Sequence, residues 1–126
     1  MTLEEALSGE MRLALHDFVQ SAIVCEWCAD QCLDEEDGMT ECIRLCRDVA
    51  DLAIQNVRFI ARDSAFGPEV AETFAYAAEE CADECARHQN EHCQACATTL
   101  RQAVDSTWQL LGSLGDESVG RSQRVG

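Results

Sequence analysis

The residues of this chain with the most chemistry to offer are nine cysteines, and their spacing is helical. Cys28–Cys32, Cys42–Cys46 and Cys81–Cys85 are Cys-x-x-x-Cys pairs, and Cys25–Cys28 and Cys93–Cys96 are Cys-x-x-Cys pairs. Side chains three or four residues apart share one face of an α-helix, so each pair sets two sulfurs one turn apart on a rigid element. Thiolates are soft ligands that select Cu(I), Zn(II) or iron–sulfur centres. A thiol can also form a disulfide, or simply pack as a small hydrophobe. An odd number of cysteines cannot be paired completely within one chain.

Four helical segments are expected to position these thiols. The first runs from Thr2 to Leu33, with a break near Gly9, and ends in the turn Asp34-Glu35-Glu36-Asp37-Gly38. The second runs from Met39 to Arg62, with Asp37 or Thr40 as its N-cap, and stops before Asp63-Ser64-Ala65-Phe66-Gly67. Pro68 then suits the first turn of the third helix, which reaches Arg87 or His88. Asn90 suits a left-handed, helix-ending position, and the fourth helix starts near Glu91 and fades at Leu111–Leu114. Residues 115–126 are polar and aperiodic, and read as a flexible tail behind a single domain of residues 1–114.

Apolar residues recur at three- and four-residue steps in every segment, and each cysteine falls on such a stripe. Short connections favour antiparallel neighbours, so the expected fold is all-α, an up-down-up-down four-helix bundle. In that arrangement Cys25, Cys28 and Cys32 (end of the first helix), Cys42 and Cys46 (start of the second), Cys81 and Cys85 (end of the third) and Cys93 and Cys96 (start of the fourth) meet at one end. Nine thiols in one layer argue for a metal site over mere packing. Nine buried thiolates carry a severe desolvation cost unless cations neutralise them, and monovalent copper near one ion per thiolate does so without excess charge. Zinc held by four thiolates keeps two negative charges per site, and its usual knuckles place the thiols on loops. Copper is therefore favoured, with Zn(II) as the alternative metal.

Composition narrows the remaining roles. A net charge of −15 repels nucleic acid and anionic membranes. All nine basic residues are arginine, and with 24 acidic groups the exterior resembles that of proteins adapted to high salt, or else is an ordinary acidic solvated surface. The opening Met1-Thr2-Leu3-Glu4-Glu5 has no secretory character and no apolar run is long enough to span a bilayer, so the expected location is the cytoplasm. That compartment keeps thiols reduced. Neither a Ser-His-Asp set, a phosphate loop nor a di-iron pattern stands on the stripes, so an enzyme is not expected.

The stretches Cys25-Glu-Trp-Cys28-Ala-Asp-Gln-Cys32-Leu33, Met39-Thr-Glu-Cys42-Ile-Arg-Leu-Cys46-Arg-Asp48 and Glu80-Cys81-Ala-Asp-Glu-Cys85-Ala-Arg-His88 through His92-Cys93-Gln-Ala-Cys96-Ala97 resemble the cysteine-rich four-helix-bundle copper-binding proteins, including the copper storage proteins. The resemblance implies Cu(I) bound by thiolates inside the bundle, for sequestration and not catalysis. It also implies that His88, His92 and Met39 lie near the open end, where they could pass copper inward, and it suggests a homo-oligomer, with a copper chaperone as a further candidate partner. His16, away from the cluster, reads as structural. The chain departs from the pattern in carrying Val49, Ala53, Leu100 and Ala103 at family-like cysteine positions, with Phe74 and Ala78 also facing inward. A smaller capacity follows, which leaves room for buffering, delivery or sensing. The competing readings are a zinc- or cadmium-thiolate protein, a thiol-redox protein, and a structural bundle whose cysteines only pack.

Overall fold

The computed structural model describes residues 1–35 and 37–125, with side chains as far as Leu114. Among the described residues five helices follow one another: α1 (Leu3–Ala6), α2 (Gly9–Cys32), α3 (Thr40–Ala61), α4 (Gly67–Ala86) and α5 (Glu91–Val125). The described residues contain no strand. None of the described helices is long and apolar enough to cross a membrane.

The expected break in the first segment is real, and side chains make it. Thr2 accepts a hydrogen bond from the Glu5 amide and caps α1, which ends after one turn. Ser8 then accepts one from the Met11 amide and starts α2 afresh. The next turn runs through Gly38, whose φ of +98° lies in the region that favours glycine. Neither Asp37 nor Thr40 caps α3; Met39 holds the N-cap position, without a side-chain hydrogen bond, and its side chain is buried.

The two remaining turns differ in how they are made. Between α3 and α4 it is Asp63 that adopts a left-handed backbone, with φ of 51°, and the Ser64 amide donates to the Phe59 carbonyl at 2.9 Å. Pro68 sits in the first turn of α4, where it lacks only an amide that had no helical partner. Asn90 is not left-handed. Its carbonyl accepts from the Gln94 amide at the start of α5, while the Gln94 side chain donates back to the Ala86 and His88 carbonyls at 3.2 and 2.6 Å. That side chain satisfies carbonyls that the end of α4 leaves without a helical donor. The backbone of α5 continues to Val125, and the side chains of the expected tail, residues 115–126, lie outside the described residues.

Helix α2 packs on α3 and α5, and α4 packs on the same two. The shared interior has two chemically different halves. One is lined with sulfur. The other holds Phe18 and Phe74, stacked edge-to-face at 5.0 Å and both fully buried, with Val49, Leu100, Leu110 and a set of alanines around them. Small alanines let the helices approach closely, and the two rings fill the space this leaves. Asn56, also fully buried, donates from Nδ2 to the Leu52 carbonyl on its own helix and to the Val70 carbonyl of α4.

Because this apolar half carries the packing energy, removing a ring should cost stability without touching the thiols. Phe74→Ala is expected to lower unfolding free energy by about 3–5 kcal/mol, as for other buried aromatic truncations. Urea denaturation of the reduced protein measures this, and a loss below about 1 kcal/mol would show that the half is not packed as described.

Candidate metal centre

All nine cysteines are free thiols and all are buried. Each of the four long helices contributes, because the periodicity that makes a helix amphipathic also turns its cysteines inward. Three from α2 (Cys25, Cys28, Cys32), two from α3 (Cys42, Cys46), two from α4 (Cys81, Cys85) and two from α5 (Cys93, Cys96) meet as one continuous set.

Sulfur-to-sulfur contacts run from 3.5 Å (Cys42–Cys85) and 3.6 Å (Cys46–Cys81) to 4.0 Å (Cys32–Cys93). Within this set are three four-sulfur groups whose Sγ atoms all lie within 4.8 Å of one another: Cys25, Cys46, Cys81 and Cys96; Cys28, Cys42, Cys46 and Cys85; and Cys28, Cys32, Cys42 and Cys93. Cys46 belongs to the first two, and Cys28 and Cys42 to the last two. The groups therefore form a chain of linked sites. From Cys32 to Cys25 is seven residues, about 10 Å of helix. Beyond the innermost sulfurs the interior is closed by Val49, Ala53, Ala78, Leu100 and Ala103, all fully buried.

Electrostatics make this set uncomfortable without cations. Burial is the chief cause that pushes the Cys32 and Cys93 thiols up. Hydrogen bonding to a neighbouring sulfur is the chief cause at Cys25 (with Cys46), Cys85 (with Cys28) and Cys96 (with Cys25), all of which are also raised. The sulfurs on the accepting side are lowered: Cys28 chiefly by Cys42, and Cys46 and Cys81 chiefly by Cys25. At Cys42 the hydrogen bond with Cys28 acts to raise, but those with Cys46 and Cys85 outweigh it and the thiol is lowered. A few thiolates are thus held by the S–H groups of the rest, and the protons belong to the set as a whole. A soft cation entering here displaces protons and replaces these weak bonds with strong ones.

The three other residues singled out in the sequence stand apart from the four-sulfur groups, each in its own way. Met39 is buried and belongs to the same core cluster as the cysteines. His92 is 7% exposed, its ring lies edge-on to Trp27 at 6.1 Å, and its buried Nε2 has no hydrogen-bond partner. His88 is partly buried, its side chain 20% exposed, with Nε2 at 2.6 Å from the Glu84 carboxylate, which also meets Arg87 at 3.2 Å. His16 pairs with Asp17 on the exposed surface, far from any cysteine in sequence. Sequence reasoning missed Glu84 and Trp27; Glu84 stands four residues before His88, the spacing of facing side chains on a helix.

A helical bundle whose interior is lined at one end by a continuous set of reduced thiols defines a protein that holds soft metal ions. A family model described as copper storage protein matches residues 8–111, and the chain belongs to that family. Among curated proteins it is 39% identical over 75 residues, 58% of this chain and 69% of the other, to the uncharacterized cysteine-rich protein YhjQ of Bacillus subtilis. Among solved structures it is similar to apo-Csp3, copper storage protein 3 of Bacillus subtilis, with a TM-score of 0.74 and 28% identity over 79% of this chain and 97% of that one. The Cu(I)-bound form of BsCsp3 gives a TM-score of 0.76 at the same identity, over 79% and 96% of the two chains. A mutant of Ccsp from Streptomyces lividans gives 0.78 with 31% identity, over 82% and 92%.

The thiol set also fixes a pH dependence. In the unfolded chain the thiols ionise near their ordinary 9.0, whereas Cys25, Cys32, Cys85, Cys93 and Cys96 stay protonated to higher pH in the fold. The unfolded state therefore loses more protons above that pH, and stability falls as pH rises. The lowered thiols, Cys28, Cys42, Cys46 and Cys81, act in the opposite sense, but their gain is complete once the unfolded thiols have ionised. The urea midpoint of the reduced, metal-free protein should drop between about pH 9 and about pH 10.5. A flat or rising midpoint over that interval would contradict the assignment.

Proposed function

We propose that this chain binds and sequesters Cu(I) through its cysteine thiolates, as a store, buffer or means of detoxification and not as a catalyst. The observation that carries the reading is the continuous chain of nine buried thiols, with neighbouring sulfurs 3.5–4.0 Å apart and shared between groups. Charge decides between metals. Nine thiolates take up to nine monovalent ions with no residual charge, whereas three divalent ions in the three linked groups leave three negative charges buried. Thiolate softness acts in the same direction.

The arrangement proposed for the helices is the antiparallel up-down-up-down four-helix bundle, with residues 1–114 as the domain and 115–126 as its tail. Contact register supports it: Cys42 meets Cys85 and Cys46 meets Cys81, so that one step forward along α3 is one step back along α4. Metal ligands in this reading are the nine cysteines. Met39, His92 and His88 stand at the sulfur end as stations for an arriving ion, which the orphan Nε2 of His92 supports. Free thiols suit a reducing cytoplasm. A homo-oligomer and a copper chaperone remain the partners proposed.

A second reading has one observation in its favour. Four thiolates around zinc, with bonds of about 2.3 Å, place sulfurs about 3.8 Å apart, inside the spread seen here. Anaerobic titration of the reduced protein with Cu(I) against a competing chelator, and with Zn(II) in parallel, separates the two. The expected result is tight uptake of clearly more than three Cu(I) ions, with Cys28→Ser/Cys46→Ser lowering the number because these sulfurs link the groups. Tight binding of Zn(II) alone would transfer the site to zinc. Failure to take up either metal, with stability the only property lost in the serine variant, would leave the cysteines as packing residues.

A further inference from the structure

The nine thiols divide by seam. Five belong to α2 and α5: Cys25, Cys28, Cys32, Cys93 and Cys96. The other four belong to α3 and α4, and they form the two shortest sulfur contacts in the set, Cys42–Cys85 at 3.5 Å and Cys46–Cys81 at 3.6 Å. These two contacts share no atom, so both can close at once. They lie one helical turn apart on each helix and make a ladder of two rungs.

Covalent geometry favours these rungs over every pair within one helix. A disulfide needs Cβ atoms about 3.5–4.5 Å apart, whereas side chains four apart on a helix hold theirs at about 5–6 Å. Cys28 and Cys32, in contact at 3.9 Å, could therefore bond only by distorting α2. Across helices no such fixed separation applies, and the rung sulfurs are already in contact. Nor is the α3–α4 seam already tied where the thiols lie, because the α3–α4 connection, residues 62–66, is 15 residues or more along the chain from every rung cysteine. At the sulfur end the connections run from α2 to α3 and from α4 to α5.

A nitrogen and an oxygen donor stand together one helical turn from each other beside the outer rung in sequence, with Arg87 on the other carboxylate oxygen. Glu84 precedes Cys85 directly, and its carboxylate stands 2.6 Å from Nε2 of His88. Nitrogen and carboxylate oxygen are donors that divalent copper accepts, while thiolate prefers the monovalent ion.

We propose that the α3–α4 ladder is a reductant for cupric ion, so that the protein converts Cu(II) to the form its remaining thiols hold. For each rung, two Cu(II) ions each take one electron and become Cu(I). The two S–H bonds break, two protons leave to solvent, and one S–S bond forms. Both rungs together reduce four Cu(II), release four protons and leave the five thiols of α2 and α5 to bind the product. The proposal rests on the copper-holding reading for the fate of Cu(I), and the ladder chemistry is measured independently of it.

The test uses the full-length, fully reduced, metal-free protein without oxygen. Cupric sulfate is added up to four equivalents in the presence of a chromogenic Cu(I) chelator, and the protein is then unfolded in iodoacetamide and mapped by peptide mass spectrometry. The expected outcome is one Cu(I) per Cu(II) added and loss of one thiol per ion. Cys42–Cys85 and Cys46–Cys81 should be the disulfides, with Cys25, Cys28, Cys32, Cys93 and Cys96 alkylated. Cupric ion left unreduced, or disulfides formed elsewhere or between chains, overturns the proposal. Two variants give a second measurement: Cys81→Ser/Cys85→Ser should slow reduction at least tenfold, and His16→Ala, at an exposed residue outside the thiol set, should not. Equal slowing in both overturns it as well. If the ladder closes as expected but reduced protein takes up no added Cu(I), the storage reading fails and the ladder stands.

Discussion

Nine sulfur atoms share one buried space, and they cannot all be charged there unless something positive comes in. Every other feature of the site answers to that constraint. In the metal-free protein the set holds most of its protons, and the few thiolates it permits are steadied by the S–H groups of their neighbours. Such bonds are weak. The interior is therefore poised to exchange protons for soft cations.

A site held in such tension has to be built on something that does not depend on it. The apolar half supplies this. Phe18 and Phe74 interlock across α2 and α4, alanines bring the helices close, and Asn56 ties α3 to α4 through the Val70 carbonyl. The Asn56 Oδ1 has no partner, a local cost that the surrounding packing must carry. Sulfur at one end and hydrocarbon at the other divide labour between exchanging cargo and keeping shape.

Much of this was legible in the sequence because one periodicity governed it. Cysteines at three- and four-residue steps, in phase with Phe18, Val49, Phe74 and Leu100, announced both the helices and the inward thiols. What escaped was set by single side chains acting at short range. The break near Gly9 was expected, but not that Ser8 would make it by offering a hydroxyl to the Met11 amide. The chain turns left-handed at Asp63, between α3 and α4, and not at Asn90, where Gln94 reaches back to the α4 carbonyls instead. The pairing of Glu84 with His88 was visible as a spacing, but nothing in the sequence said that this carboxylate, among 24 acidic groups, would turn to the histidine. The orphan nitrogen of His92 depends on what does not reach it, which no pattern of residues records.

The filling of the far half by Val49, Phe18, Phe74 and Leu100 makes the thiol chamber a blind shaft. In the copper-holding reading, an ion beside Cys25 and Cys96 would have no exit of its own and would leave only through the layers laid down after it. Retention at the bottom then needs no exceptional bond strength. The traffic resembles a stack, last in and first out, and the outermost sulfurs set the pace at which the whole column empties.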